Sequence, residues 1–99
     1  MAKTGLRPMH PGELLREEIL PAMGKSVSEL AELLGVSRQT LHAILAERAA
    51  VTPMMALRLG KLCGNGPNLW VSLQARHDLA VLEPVMADEL DRIPTIRAA

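Results

Sequence analysis

The chain has 99 residues, enough for a single domain with one hydrophobic core and no need of metals or disulfides. Its 11 Lys and Arg balance 11 Asp and Glu, so overall basicity gives no argument for a nucleic-acid partner. The lone cysteine, Cys63, excludes an intrachain disulfide framework and a paired-cysteine metal site.

Trp70 is the only aromatic residue, while Leu, Ala, Met and Val are plentiful, a balance that favours helix over strand and predicts an all-α protein. In the segment from His10 to Leu20, Pro11 stands where a first helical turn tolerates it, and Leu14, Leu15 and Ile19 share one stripe. This is a first helix, expected to kink or restart at Pro21 and to end at Gly24. Ser26 with Glu29 three residues later is a capping box, behind which Val27, Leu30, Ala31 and Leu34 form the apolar face of a short second helix stopped by Gly35. Ser37 is a good N-cap for a third helix with Leu41, Ile44 and Leu45 at helical spacing.

After a loop around Arg48 to Val51, Thr52 caps and Pro53 opens a fourth helix that Gly64 ends. Gly60 inside it costs about 1 kcal/mol relative to alanine, so close packing against a neighbour is expected there. Asn65, Gly66 and Pro67 make a turn, after which Leu69, Trp70, Leu73, His77 and Ala80 mark a fifth helix with Trp70 in the core. Beyond Glu83-Pro84 the periodicity dissolves, and Ile93, Pro94 and Ile96 suggest a short strand or a tail that orders on contact. The reading is an arm over residues 1–9, a domain over 10–82 and a tail over 83–99. Residues 1–13 lack the apolar run of a signal peptide and no stretch is long enough to cross a bilayer, so a soluble cytoplasmic protein is expected.

The informative piece is Leu30 to Leu45. Small Ala31 lets the second and third helices approach, Gly35 accepts the positive φ of a tight turn, and Val36 plugs the corner. With Leu30, Leu34, Leu41 and Ile44 facing inward, Ser37, Arg38, Gln39, Thr40, His42 and Ala43 point outward near the start of the third helix. The major groove of B-DNA admits one α-helix, whose N-terminal residues reach base edges. Arg38 suits guanine O6 and N7, Gln39 suits adenine N6 and N7, and Ser37 or Thr40 can take a phosphate or a thymine neighbour. Lys25 and Ser26, at the positive end of the second helix, and Arg48 are candidate phosphate contacts. Charge distribution agrees: Arg38, Arg48, Arg58 and Lys61 outnumber Glu47 between Ser37 and Gly64, whereas Glu83, Asp88, Glu89 and Asp91 make the tail acidic.

Four blocks in order carry a resemblance: HPGELLREE from His10, LAELLGVSRQTLHAIL from Leu30, TPMMALRLGKLCG from Thr52 and LWVSLQARHDLA from Leu69. Together they resemble the Cro/C1-type helix-turn-helix class and, within it, the HigA-type antitoxins of bacterial toxin–antitoxin modules. The resemblance implies a five-helix, lambda-repressor-like domain with a short C-terminal tail. It further implies a homodimer that binds double-stranded operator DNA, represses its own operon and neutralises a HigB-like, mRNA-cleaving toxin. One departure stands out: Ala46-Glu47 occupies the place where relatives commonly carry Asn-Gly, which puts a carboxylate near the DNA.

Other readings have less behind them. His10, His42 and His77 have no partner at metal-ligand spacing, and Cys63 fits a small apolar group, so neither a metal nor another cofactor is expected. His77-Asp78 lacks a nucleophile or oxyanion donor, so no enzyme and no small-molecule substrate is expected. Met9, Met54, Met55 and Met86 read as core or interface filler. Leu79, Val81, Leu82, Val85 and Met86 are the candidate dimer surface. The alternatives are an interaction module that only covers a toxin, favoured by neutral charge and Ala46-Glu47, and a stand-alone helix-turn-helix regulator.

Overall fold

The computed structural model describes residues 8–97, all helix and connecting loop, with no strand among them. The first helix, α1, is a composite rod. It opens as α-helix over Pro11–Leu14, widens to a π-helical turn over Leu15–Ile19 and returns to α-helix over Leu20–Met23. The wide turn answers Pro21, which brings no N–H and whose ring crowds the carbonyl one turn back. Regular geometry resumes at Leu20 with Pro21 in the new first turn, the restart expected from sequence.

The following helices are α2 (Val27–Leu34), α3 (Arg38–Leu45), α4 (Pro53–Cys63), α5 (Pro67–Val85) and α6 (Ala87–Asp91). Local side-chain caps start three of them. The Ser26 hydroxyl accepts from the Glu29 amide at 3.1 Å while Glu29 Oε1 accepts from the Ser26 amide at 2.8 Å; Ser37 and Thr52 accept from the Thr40 and Met55 amides. Two amides are thereby satisfied at the start of α2 and one at the start of each of the other two.

The core gathers Leu15 from α1, Leu30, Ala31 and Leu34 from α2, Leu41 and Ile44 from α3, Met55, Ala56 and Leu59 from α4, and Trp70 from α5. Each large apolar side chain fully withdrawn from water contributes roughly 1.5–3 kcal/mol. Two glycines let backbones touch. A Cβ on Gly12 would run into the Ile44 carbonyl of α3, and one on Gly60 into the backbone of Gly66 and Pro67, the close packing expected at that position. Trp70 is fully buried and its indole N–H donates to Asn65 Oδ1 at 3.1 Å.

The C-terminal region differs from the expectation. Helix α5 runs through Glu83 and Pro84 to Val85, across the boundary placed between residues 82 and 83, and α6 follows where an irregular tail was expected. Pro84 is tolerated because it sits one residue from the helix end, on an exposed stretch where the carbonyl it leaves unpaired can be hydrated. Ile93, Pro94 and Ile96 form no strand; residues 94–97 are irregular. The arm over residues 1–9 lies mostly outside the described residues, of which Pro8 and Met9 are half-buried. Of the four methionines expected to fill core or interface, Met55 is buried, Met9 and Met86 are half-buried, and Met54 stands in solvent. Cys63 is half-buried, and its burial pushes the thiol pKa up. Among the described residues no helix is long and apolar enough to cross a membrane, and no group of three or more His, Cys, Asp or Glu is arranged to hold a metal.

Candidate nucleic-acid interface

Helices α2 and α3 are separate rods joined by a tight corner. Gly35 takes φ 74°, and its amide and that of Val36 fold back onto the Glu32 and Ala31 carbonyls at 3.1 and 3.0 Å, a Schellman turn that only a residue at ease with positive φ closes without strain. Ser37 then leaves in extended conformation, φ −73° and ψ 156°, to cap α3. Leu41, Ile44 and Leu45 of α3 point into the core.

The opposite face of α3 is open. Ser37, Arg38, Gln39, Thr40 and His42 are exposed and Ala43 is half-buried, as the helical spacing requires. Ser37, Arg38, Gln39 and His42 border one shallow depression. Ser37 and Thr40 are partly committed to each other: the Ser37 hydroxyl donates to Thr40 Oγ1 at 2.9 Å besides accepting the Thr40 amide. Arg38 and Gln39 carry no such tie among the hydrogen bonds of the described residues and present free guanidinium and amide groups at the helix N-terminus, where a planar two-pronged donor set can meet a base edge.

Lys25 and Ser26 are exposed at the start of α2. The capping box there uses the amides of Ser26 and Glu29, and the Ser26 amide first, then the Ser26 side chain, hold the Glu29 carboxyl below the ordinary carboxylate range. A carboxylate thus already occupies part of the positive helix end. Arg48 is exposed in the loop after α3, its amide bonded to the Ala43 carbonyl at 2.9 Å. Arg58, counted with the basic middle of the chain, turns elsewhere: its Nη1 donates to the Leu34 carbonyl at 2.8 Å, closing the C-terminal end of α2.

Three structural features had weak or no sequence signals. Glu47 sits at φ 63°, and its carboxylate lies 3.2 Å from Arg16 Nη1, facing α1. Gln74 is buried; its Oε1 accepts from the Val51 amide at 2.7 Å and its Nε2 donates to Asp78 at 3.0 Å, anchoring the α3–α4 loop to α5. It lies four residues after Trp70 on the same helical stripe, a spacing that marks it as inward. His10 is buried as the N-cap of α1, Nδ1 accepting from the Gly12 amide at 2.8 Å, with its ring edge-on to His77 at 4.9 Å. Burial, and next the neighbouring His77, lower its pKa.

Comparison with known proteins agrees with this geometry. The helix-turn-helix family matches residues 15–70. Antitoxin HigA-1 of Vibrio cholerae is 37% identical over 79 residues, covering 80% of this chain and 74% of that protein. Among solved structures, antitoxin GraA in complex with its operator superposes with a TM-score of 0.84 at 41% identity, over 99% of this chain and all of GraA. The Pseudomonas aeruginosa antitoxin HigA with the higBA promoter does so with a TM-score of 0.83 at 33% identity, over 92% of this chain and 100% of that one. With the helix pair, its corner and its open third-helix face in place, the chain belongs to the Cro/C1-type helix-turn-helix family, among HigA- and GraA-like antitoxins.

Proposed function

We propose that this chain is a sequence-specific repressor acting as the antitoxin of a HigB/HigA-type module: as a homodimer in the bacterial cytoplasm it binds operator DNA upstream of its own operon and covers an mRNA-cleaving toxin. The observation that carries the reading is the exposed N-terminal half of α3, with Arg38 and Gln39 free beside the Ser37 cap. Two such helices entering successive major grooves lie about 34 Å apart and call for a palindromic site. Arg38 and Gln39 read base edges, with Ser37, Thr40, His42 and Ala43 completing the contact surface; Lys25, the amides beside Ser26, and Arg48 take phosphates.

A dimer is supported by shape. The radius of gyration is 16.3 Å with extents of 50 × 33 × 23 Å, against about 13 Å for a compact chain of this length. From Leu79 onward every described residue except half-buried Met86 is exposed, including Leu79, Val81, Leu82, Val85 and Leu90. An apolar projection of this kind suits burial against a second copy. The toxin partner rests on the HigA and GraA names of the relatives.

Gel shifts with the chain's own upstream DNA test the repressor. Arg38→Ala or Gln39→Ala should cost about 1–3 kcal/mol and relax discrimination at one position. Arg48→Ala should weaken all sequences alike and reduce the salt slope by about 1. No retarded band at modest salt overturns the reading. Co-purification with the product of an adjacent small gene tests the toxin role. The interaction-only alternative drew on the Glu47 carboxylate; its engagement by Arg16 removes much of that argument.

A further inference from the structure

The last four carbonyls of a helix have no partner within it. In α3 the amides of Ala46 and Glu47 take those of His42 and Ile44, each at 2.9 Å, and those of Arg48 and Ala49 take that of Ala43 at 2.9 and 3.2 Å. The remaining one, of Leu45, accepts from Arg16 Nη1 at 2.6 Å, a bond spanning 29 residues between α1 and α3. The same nitrogen lies 3.2 Å from Glu47 Oε2, and Arg16 Nε is 2.9 Å from Glu17. A guanidinium therefore stands at the negative end of the α3 dipole. Its second contact holds Glu47, the one described non-glycine residue with positive φ, in the turn that leaves the helix. The corner before α3 is closed in the same way, by Arg58 from α4 on the Leu34 carbonyl. Both rods of the helix pair are thus gripped at their C-terminal carbonyls by an arginine from another helix.

We propose that Arg16 is a positioning residue for DNA reading: its strap to Leu45 and Glu47 sets the seat of α3 against α1, and hence how Arg38 and Gln39 enter the groove, while keeping the Glu47 carboxylate turned toward α1. The proposal rests on the DNA-reading function above. A guanidinium that is 42% exposed could alternatively meet a phosphate itself, or serve only stability.

The charge-neutral double variant Arg16→Met/Glu47→Gln separates these roles. Affinity for the operator and for random duplex is measured at several salt concentrations well below the melting temperature, with wild type alongside. Operator affinity should fall about fivefold or more, while random-duplex affinity and salt slope stay as in wild type. A slope smaller by about one, with equal loss on both duplexes, makes Arg16 a phosphate contact and overturns the proposal; so does unchanged operator affinity with only a lower melting temperature. Arg16→Lys, which keeps the charge but not the fork, should show a smaller operator-specific loss, and serves if the double variant does not fold. Hydrogen exchange without DNA reads the strap independently. The Ala46 and Glu47 amides should exchange faster in the double variant, and unchanged exchange overturns the strap. Wild type that binds no upstream DNA sinks the repressor reading instead.

Discussion

Gly12→Ala is the sharpest test of how α3 is seated. Alanine is the better helix former, and in an unhindered helix the change would stabilise by about 0.5–1 kcal/mol. Here the new Cβ would overlap the Ile44 backbone carbonyl and come within 3.1 Å of His10 Nδ1. Neither neighbour is a flexible side-chain end: one is helix backbone, and the other is the buried ring that caps α1. Relief requires α3 to withdraw from α1 by about 1 Å, loosening contacts around Leu15, Leu41 and Ile44, and overpacking of this kind costs about 1–3 kcal/mol or more. The steric term wins, for a net destabilisation of about 1–2 kcal/mol. In a domain of this size that lowers the melting temperature by roughly 5–15 °C. Thermal unfolding followed by far-UV circular dichroism measures it, and the operator gel shift on the same sample, kept cold, should weaken because the displaced helix carries Arg38 and Gln39. A melting temperature equal to or above wild type would refute the close approach of α1 and α3.

Three further outcomes follow from named contacts. Gln74→Met leaves the buried Val51 amide without its acceptor and should cost about 1–3 kcal/mol, read as a lower urea midpoint at unchanged slope. At Glu47, Asn tolerates positive φ and Val does not; both lose the Arg16 pair, so the difference between Glu47→Asn and Glu47→Val isolates the backbone term, about 1 kcal/mol or more in favour of Asn. His10 has a pKa in the folded chain below its ordinary 6.5, lowered by burial and then by His77, with Glu47, Asp78 and the Ala49 backbone opposing. The unfolded chain therefore binds the proton more readily. The stability this neutral cap contributes is complete above about pH 6.5 and declines as pH falls from there toward the folded pKa. His10→Asn, which caps without titrating, should flatten urea midpoints measured between pH 7 and 5.

Much of the candidate interface's geometry was legible because its signals are local. Ser26 and Glu29, Ser37 and Thr40, and Thr52 and Met55 all bond across three residues, so the residue types at that spacing announce the helix starts. The apolar period of Leu30, Leu34, Leu41 and Ile44 assigns the inner face and leaves Arg38 and Gln39 outside. Pro84 misled for an equally local reason: a proline signals a helix break, yet one residue before an exposed helix end it costs little.

Tertiary structure alone decided which long-range partners meet. Arg16 on the Leu45 carbonyl, Arg58 on that of Leu34 and Gln74 on the Val51 amide are bonds over 29, 24 and 23 residues. Nothing local tells Arg16 or Arg58 from another helical arginine, and the spacing of Gln74 after Trp70 marks it as inward without naming its partner. Hydrogen-bond spacing along one helix is set by the backbone's own period, so the chain encodes it residue by residue. The distance between two helices depends on everything packed between them, and only the closed core, with Gly12 under Ile44 and Gly60 under Gly66, determines it.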